Sequence, residues 1–149
     1  MRAMTGGDAM RMIGKLLLAT GLLLMLATAA AQSRMQRGKL QPIQDAYAAA
    51  IRWGDFETAW QLVDPAYKAE HPMTELEFER YQQVQISGYR DLSSSGGPDG
   101  TVERAIELRV INKHTMAERT MRYRERWRWD PEAKRWWLVV GLPDLWNGE

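Results

Sequence analysis

Cysteine is absent from the 149-residue chain, and histidine occurs only twice, as His71 and His114. The first absence excludes a disulfide framework, a thiolate metal site, a cysteine nucleophile and a lipid-modified N-terminal cysteine. With two histidines, a metal site would depend on carboxylates, and no metal-ligand spacing is visible. The sequence also has no Gly-rich phosphate loop and no Ser-His-Asp arrangement. We therefore expect neither a cofactor nor a metal.

Neither sign of charge dominates the chain. Its formal net charge is +1, and the first 31 residues hold three basic side chains against one acidic. Residues 32–149 therefore carry 17 basic and 18 acidic side chains, a net charge of −1. A nearly neutral domain lacks the positive excess that marks nucleic acid binding. We therefore expect no nucleic acid partner.

The strongest signal in the sequence is an apolar run over residues 13–31 that ends in Ala29-Ala30-Ala31. Preceding basic residues, an apolar core and small residues at the end are typical of a secretory signal peptide. The alternative is a retained anchor, since 19 residues just suffice to cross a bilayer. Either interpretation places the rest of the chain outside the cytoplasm. The protein is then periplasmic or secreted after cleavage, or held by one N-terminal transmembrane helix, its only contact with the membrane.

The domain organisation follows from that segment. We expect a signal peptide or anchor at residues 1–31, a polar linker at 32–40 and one folded domain at 41–149. The first half of this domain shows helical periodicity, with Ile43, Tyr47 and Ile51 on one face. Residues suited to begin further helices follow, at Asp55, at Asp64 before Pro65, and at Thr74, which is placed for a capping box with Glu77.

The second half of the domain alternates between apolar and polar residues, as strands do. Strands are predicted over residues 84–92, 101–112, 115–129 and 135–142, and residues 93–100 (SSSGGPDG) form a predicted loop. The predicted fold class is α+β. Its N-terminal helices pack on one face of a curved antiparallel sheet of about four strands, preceded by the hydrophobic N-terminal helix.

Charge pairing suggests a register for the central hairpin. With residues 113–114 as a two-residue loop, Arg109 lies opposite Glu118 and Glu103 opposite Arg124. Both are favourable opposite-charge pairs across the strands. We therefore predict this register.

The order of elements resembles the nuclear-transport-factor-2-like superfamily, over roughly residues 41–142. The resemblance lies in the step Gly54-Asp55-Phe56 between two helices and in an aromatic hairpin over 126–129 and 136–139. It implies a cone-shaped α+β fold, a pocket between helices and sheet, and frequent dimerisation through the exposed sheet face. The family includes ketosteroid isomerases and polyketide cyclases, but their catalytic Tyr and paired Asp residues have no identifiable counterparts here. Asp91 lies near the first strand without a matching acid or phenol.

Two charged residues interrupt the apolar faces of their strands, Arg104 and Glu125. In the predicted register they are diagonal neighbours on the inward side, where a charge must be paired, hydrated or neutralised. One interpretation makes them the polar floor of a pocket, with Glu125 as the candidate catalytic acid/base and Arg104 holding an anionic ligand. The other makes them a structural ion pair. The candidate ligand-binding residues are Arg104, Glu125, Tyr123, Tyr47 and Trp60.

Four arginines share the opposite face of the third strand, at Arg122, Arg124, Arg126 and Arg128. They are interpreted either as a site for an anionic partner or as pairs for nearby acids such as Glu103 and Glu107. The last strand is apolar on both sides. Its outer face requires a cover, either residues 142–146 or a second subunit, so Trp137 and Val139 are the candidate interface residues.

These features give three hypotheses for function. The first is a non-catalytic exported domain, expected to form a homodimer, that binds a small apolar or anionic molecule or an envelope protein. The second is a small-pocket enzyme of isomerase or cyclase type that uses Glu125 with Tyr123 or Tyr47. The third is a homodimeric assembly module.

Overall fold

The computed structural model of the chain describes residues 33–146, which belong to two units divided in the sequence between Gly38 and Lys39. Of the first unit, residues 33–38 are described and are helical. The predicted signal or anchor at residues 1–31 lies outside the described residues. Within the described part of the chain, no helix combines the length and the apolar character that crossing a membrane requires.

Four α-helices begin the second unit: α1 at residues 39–53, α2 at Phe56–Gln61, α3 at Pro65–Glu70 and α4 at Glu75–Tyr81. The predicted starts of α2, α3 and α4 are confirmed. The Asp55 side chain accepts from the Thr58 amide, and the Asp64 side chain accepts from the Ala66 amide. Thr74 and Glu77 form both halves of the capping box. Helix starts can be predicted from sequence because the capping side chain accepts hydrogen bonds from free backbone amides only two or three residues away.

Four antiparallel strands follow, and they form one sheet in the order β1-β2-β3-β4. Their bounds are Val84–Gly96 for β1, Val102–Asn112 for β2, Glu118–Asp130 for β3 and Arg135–Leu138 for β4. The α+β class is thus confirmed. The loop predicted over residues 93–100 is wrong in its first part, because residues 93–96 pair with 102–105 of β2. The hydrogen bonds offered by β2 override the weak strand propensity of three serines.

The predicted register of β2 and β3 is wrong by two residues. Arg104 lies directly opposite Glu125, and Glu103 lies opposite Arg126. The loop is longer than expected because the Asn112 side chain accepts from the amides of residues 114 and 115, at 2.9 and 3.1 Å. Met116 then adopts a left-handed φ of 57° before the chain returns. A side-chain-supported turn of this kind competes with the two-residue loop that charge pairing favours.

Apolar residues of the helices and of one sheet face form a single core, which includes Tyr47, Phe56, Ile106, Leu108 and Trp127. The predicted alternation of β2 and β3 is confirmed, because the four arginines of β3 are exposed on the opposite face. The sheet therefore has a buried inner face and a polar outer face.

The C-terminal segment packs on the inner side of the sheet. Leu145 is fully buried in the core. Two tyrosines of this side donate to the segment's backbone, Tyr81 to the Pro143 carbonyl at 3.0 Å and Tyr123 to the Gly141 carbonyl at 2.9 Å. The segment is therefore tied to the core side, and the outer side of β4 is covered differently, as described below.

Candidate functional site

A cleft of about 410 Å³ lies between helix α1 and the strands β1 and β2. Helix α1 contributes one wall, and the strands contribute Tyr89, Asp91 and Arg104. The helical residues that line it share one side of α1, at Gln41, Asp45, Ala48, Ala49, Arg52 and Trp53. The two alanines leave room between helix and sheet, because their side chains end at Cβ.

The exposed rim of the cleft carries Trp53, which is 86 % exposed and is the last helical residue of α1. Gly54 ends the helix with a φ of +73°, a conformation that glycine adopts without the steric cost of a side chain. An exposed indole beside a concave surface is unusual, since Trp is on average a highly buried residue. Trp53 therefore offers a flat apolar surface at the mouth of the cleft.

Arg104 lies at the floor of the cleft with only 6 % of its side chain exposed. Its Nη2 lies 3.0 Å from the Asp91 Oδ2, and its Nη1 lies 3.7 Å from the Glu125 Oε2. The predicted proximity of Arg104 and Glu125 is therefore present, but the two residues face each other directly rather than diagonally. The buried Arg104 thus lies between the carboxylates of Asp91 and Glu125. Asp91 was not identified from the sequence as a partner of Arg104.

The Glu125 carboxylate is fully buried beneath Arg104. It accepts a hydrogen bond from the Tyr89 hydroxyl and another from the Trp127 Nε1, the latter at 2.8 Å. Burial raises the pKa of Glu125, and the Tyr89 bond, the Arg104 charge and the Trp127 bond lower it without cancelling that rise. Burial, together with the charge of Glu125, likewise raises the pKa of the Tyr89 hydroxyl.

Two nitrogens of Arg104, Nε and Nη1, are buried without a hydrogen-bond partner. Buried polar groups in folded proteins are nearly always hydrogen-bonded, and a buried unpaired donor costs about 1–3 kcal/mol. Glu125 does not satisfy Nη1, because 3.7 Å exceeds hydrogen-bond distance. The guanidinium of this cleft-lining arginine therefore retains donor capacity that no described residue satisfies.

Asp91, the second partner of Arg104, has a side chain that is 48 % exposed. The register of β1 against β2 shifts between Asp91 and Ser93, so a bulge follows directly after this residue. Bulges re-aim side chains and bend the strand that contains them. The pattern of apolar residues in β1 carries no sign of this bulge.

The predicted pair Tyr47 and Tyr123 lies beside the Glu125 cluster but not in the cleft. Their hydroxyls are 3.1 Å apart, and the Tyr47 ring packs edge-on against Trp127 with centroids 5.6 Å apart. Burial raises the pKa of both tyrosines. Neither bonds Glu125 directly, since Tyr89 occupies that place.

Trp60 is not brought to the cleft. Its ring contacts that of Tyr67 on α3, with centroids 6.4 Å apart. It is half-buried at the edge of the core and lines none of the described clefts. Spacing along α2 marked it as inward-facing, but the direction of a helix relative to a distant cleft depends on tertiary packing.

A second cleft, of about 450 Å³, continues along β1 and shares Arg52, Trp53 and Tyr89 with the first. Arg52 lines both clefts and is held against β1, since its Nη2 donates to the Tyr89 carbonyl at 3.0 Å and its guanidinium lies 5.5 Å from the Tyr89 ring centroid. Arg52, Trp53, Tyr89 and Asp45 were all missed as site residues. The adjacent Arg-Trp before a helix-ending glycine was the one available signal.

The outer face of the sheet holds conventional ion pairs. Arg126 lies 2.8 Å from Glu103, and Arg90 lies 2.7 Å from Glu107. Arg128 pairs with Asp64, which sits at the edge of β4. Among the described residues, Arg122 and Arg124 have no acidic side chain within ion-pair distance. The arginine stripe is thus partly neutralised by acids of the same chain, as the second interpretation expected.

The candidate interface residues lie on or near β4. Arg135 covers the Trp137 ring at 3.9 Å from its centroid, and the Trp137 Nε1 donates to Asp130 at 3.1 Å. Val139 is half-buried, and its amide donates to the Arg126 carbonyl. The outer surface of this strand is therefore covered in part by an arginine of its own chain.

Within residues 33–146, no group of three or more histidine and acidic side chains is arranged to hold a metal ion. Comparisons of the chain with protein-family models, with curated proteins and with solved structures found no match. Function must therefore be inferred from the geometry of the cleft.

Proposed function

We propose that this chain is an exported, non-catalytic binding module, of the cone-shaped nuclear-transport-factor-2-like type, that holds a small molecule between α1 and the sheet. The observation that carries the proposal is the Arg104 guanidinium. It is buried at the floor of the cleft and keeps two nitrogens without hydrogen bonds. A ligand that offers an acceptor group would satisfy this donor capacity, and Trp53 would cover the apolar part of the same ligand.

The geometry favours binding over catalysis by Glu125. A general acid or base must reach the reacting atom directly or through one water. Glu125 is fully buried, both of its oxygens accept hydrogen bonds, and it lines neither cleft of the α1 side. Its carboxylate lies 3.7 Å from the Arg104 Nη1, on the core side of the guanidinium, where it stabilises the position of that charge. We therefore assign Glu125 a positioning role.

The proposal is tested by NMR on the full chain in detergent. The probes are flat aromatic fragments supplied in acid, amide and amine forms, and the signals are the indole N–H of Trp53 and the Nε–H of Arg104. We expect at least one fragment to shift both signals in a saturable way. A library that shifts neither signal would contradict the proposal.

The variant Trp53→Ala identifies the binding surface. We expect it to weaken the active fragments by about tenfold or more, because burying an aromatic ring contributes about 1.5–3 kcal/mol. The matched control is Leu76→Ala, which removes another exposed large apolar side chain, on α4. Equal weakening by both variants would place binding elsewhere.

A further inference from the structure

The two carboxylates beside Arg104 differ in how firmly each is held. Glu125 is fully buried and accepts two hydrogen bonds besides facing the arginine. Asp91 is 48 % exposed, and Arg104 is the one charged partner within ion-pair distance among the described residues. Asp91 itself is readily solvated when it leaves Arg104, because about half of its side chain is already exposed. Asp91 is therefore the exchangeable partner.

Arg104 itself needs an anion at the position that Asp91 occupies. Glu125 is its other carboxylate neighbour but lies 3.7 Å from Nη1, so the anion at the Asp91 position is the closer compensating charge for this buried guanidinium. An amine brought there would repel Arg104, and a neutral amide would leave the lost charge uncompensated. The other charged side chains of the cleft wall, Arg52 and Asp45, are of opposite sign and leave no net charge to change this preference.

A free carboxylate has a geometric advantage over Asp91. Asp91 contacts Nη2 alone, since Nε and Nη1 have no hydrogen-bond partner. A ligand carboxylate is not tied to a strand, so it is able to align with an edge of the guanidinium and bond two nitrogens at once, the strongest geometry for this pair. The bulge that follows Asp91 supplies a place where β1 can adjust as the side chain leaves.

We infer that the ligand carries a carboxylate, and that this carboxylate replaces Asp91 on Arg104 while the apolar part of the ligand packs against Trp53. The inference rests on the proposed function, which it narrows to one chemical class of ligand. In this arrangement Asp91 competes with the ligand for Arg104 and does not itself hold the ligand. Removing the Asp91 charge should therefore strengthen binding.

The test compares three matched probes on the full chain in detergent: 2-naphthoate, 2-naphthamide and 2-naphthylmethylamine. Affinities are measured by NMR titration for the wild type, Asp91→Asn and Asp45→Asn. Asp45 is the matched control, because it is the other acidic residue of the cleft wall, is exposed, and bonds Gln41 rather than Arg104. We expect 2-naphthoate to bind the wild type tightest of the three, and Asp91→Asn to strengthen it about three- to tenfold with little effect on the amide. Asp45→Asn should change it less than twofold.

Three results would overturn the inference: weaker naphthoate binding in Asp91→Asn, equal strengthening in both aspartate variants, or tighter binding of the amide or the amine by the wild type. If the amide or the amine binds and depends on Trp53, the cleft is still a binding site and only the carboxylate assignment fails. If no probe shifts the Trp53 or Arg104 signals, both the inference and the proposed function fail.

Discussion

The two faces of strands β2 and β3 carry the same kind of pair in opposite surroundings. On the inner face Arg104 stands opposite Glu125, with 6 % and 0 % of their side chains exposed. On the outer face Glu103 stands opposite Arg126, one step along the same strands, and both remain in contact with water. The outer pair is the closer of the two, at 2.8 Å against 3.7 Å. Distance therefore does not decide how much each pair matters.

Burial decides it. The inner pair is buried among hydrogen bonds from Tyr89 and Trp127. Removing Arg104 leaves Glu125 without a charged partner in the core, and removing Glu125 leaves the buried Arg104 with the half-exposed Asp91 alone. The outer pair is screened by water and salt, and either partner is readily solvated without the other. The same side chains thus form a polar site on one face and a solvated surface on the other.

The largest expected effect is that of Glu125→Ala. We expect it to lower the free energy of unfolding by about 3–5 kcal/mol, because it removes one of the two carboxylates beside the buried Arg104 and leaves the Tyr89 and Trp127 donors unpaired. The matched control is Glu103→Ala, which removes the carboxylate of the outer pair and should cost under about 1 kcal/mol. Both values come from urea denaturation followed by tryptophan fluorescence. Similar losses for the two variants would contradict the contrast between the faces.

A pair of intermediate burial should give an intermediate loss. Asp64 is 5 % exposed, caps α3 through the Ala66 amide at 2.8 Å, and pairs with Arg128. We expect Asp64→Ala to cost about 2 kcal/mol, against about 1 kcal/mol for Asp55→Ala, which removes a helix cap alone. Equal losses in urea denaturation would show that the Arg128 pair contributes nothing.

The inner face should also give the protein a pH dependence of its own. The pKa of Glu125 is raised in the folded chain above its ordinary value of 4.5. The folded state then holds this proton more firmly than the unfolded state, so the contribution is complete below pH 4.5 and is lost as the pH rises through the folded pKa. Relative to Glu125→Gln, wild-type stability should therefore fall with rising pH, by at most about 1.4 kcal/mol per pH unit.

The measurement is urea denaturation of both proteins between pH 4 and pH 8. The groups in contact with the Glu125 carboxylate are Arg104, Tyr89 and Trp127, with Asp91 beyond Arg104 and the buried hydroxyls of Tyr47 and Tyr123 nearby. If wild-type stability instead rises with pH relative to Glu125→Gln, the Glu125 pKa is lowered and the inner cluster stabilises the charged form.

The smallest expected effect lies on the outer face. In a double-mutant cycle, Glu103→Gln and Arg126→Gln should show a coupling below about 1 kcal/mol, and 1 M NaCl should remove most of it. The individual change Arg126→Gln should cost less than about 0.5 kcal/mol. A coupling that persists in high salt would place this pair in the same class as the inner one.

Prediction from sequence succeeded where the cause lies within a few residues. The caps at Asp55, Asp64 and Thr74 are formed as predicted, because each bonds amides two or three residues away. Prediction failed where the cause depended on a distant segment. Residues 93–95 adopt strand conformation because β2 supplies their hydrogen bonds. The register of the hairpin between β2 and β3 follows from a turn that the Asn112 side chain supports.

The candidate site shows the same division. Arg104 and Glu125 were found because each interrupts an apolar face, a pattern visible within its own strand. Tyr89 and Asp91 were not, because their roles depend on β1 lying beside β2 in one particular register with one bulge. Trp53 was not found either, since its exposure depends on where α1 lies against the sheet.

The sequence by itself determined the α+β class, the beginnings of the helices, the sidedness of β2 and β3 and the presence of two inward charges, since hydrophobic periodicity and capping are local properties. The tertiary structure alone decided which acids meet Arg104, that Glu125 is sealed beneath it, and that a cleft opens between α1 and the first strand. These depend on register, on a bulge and on helix placement. Each is set by the free energy of the whole packed core, to which distant residues contribute together.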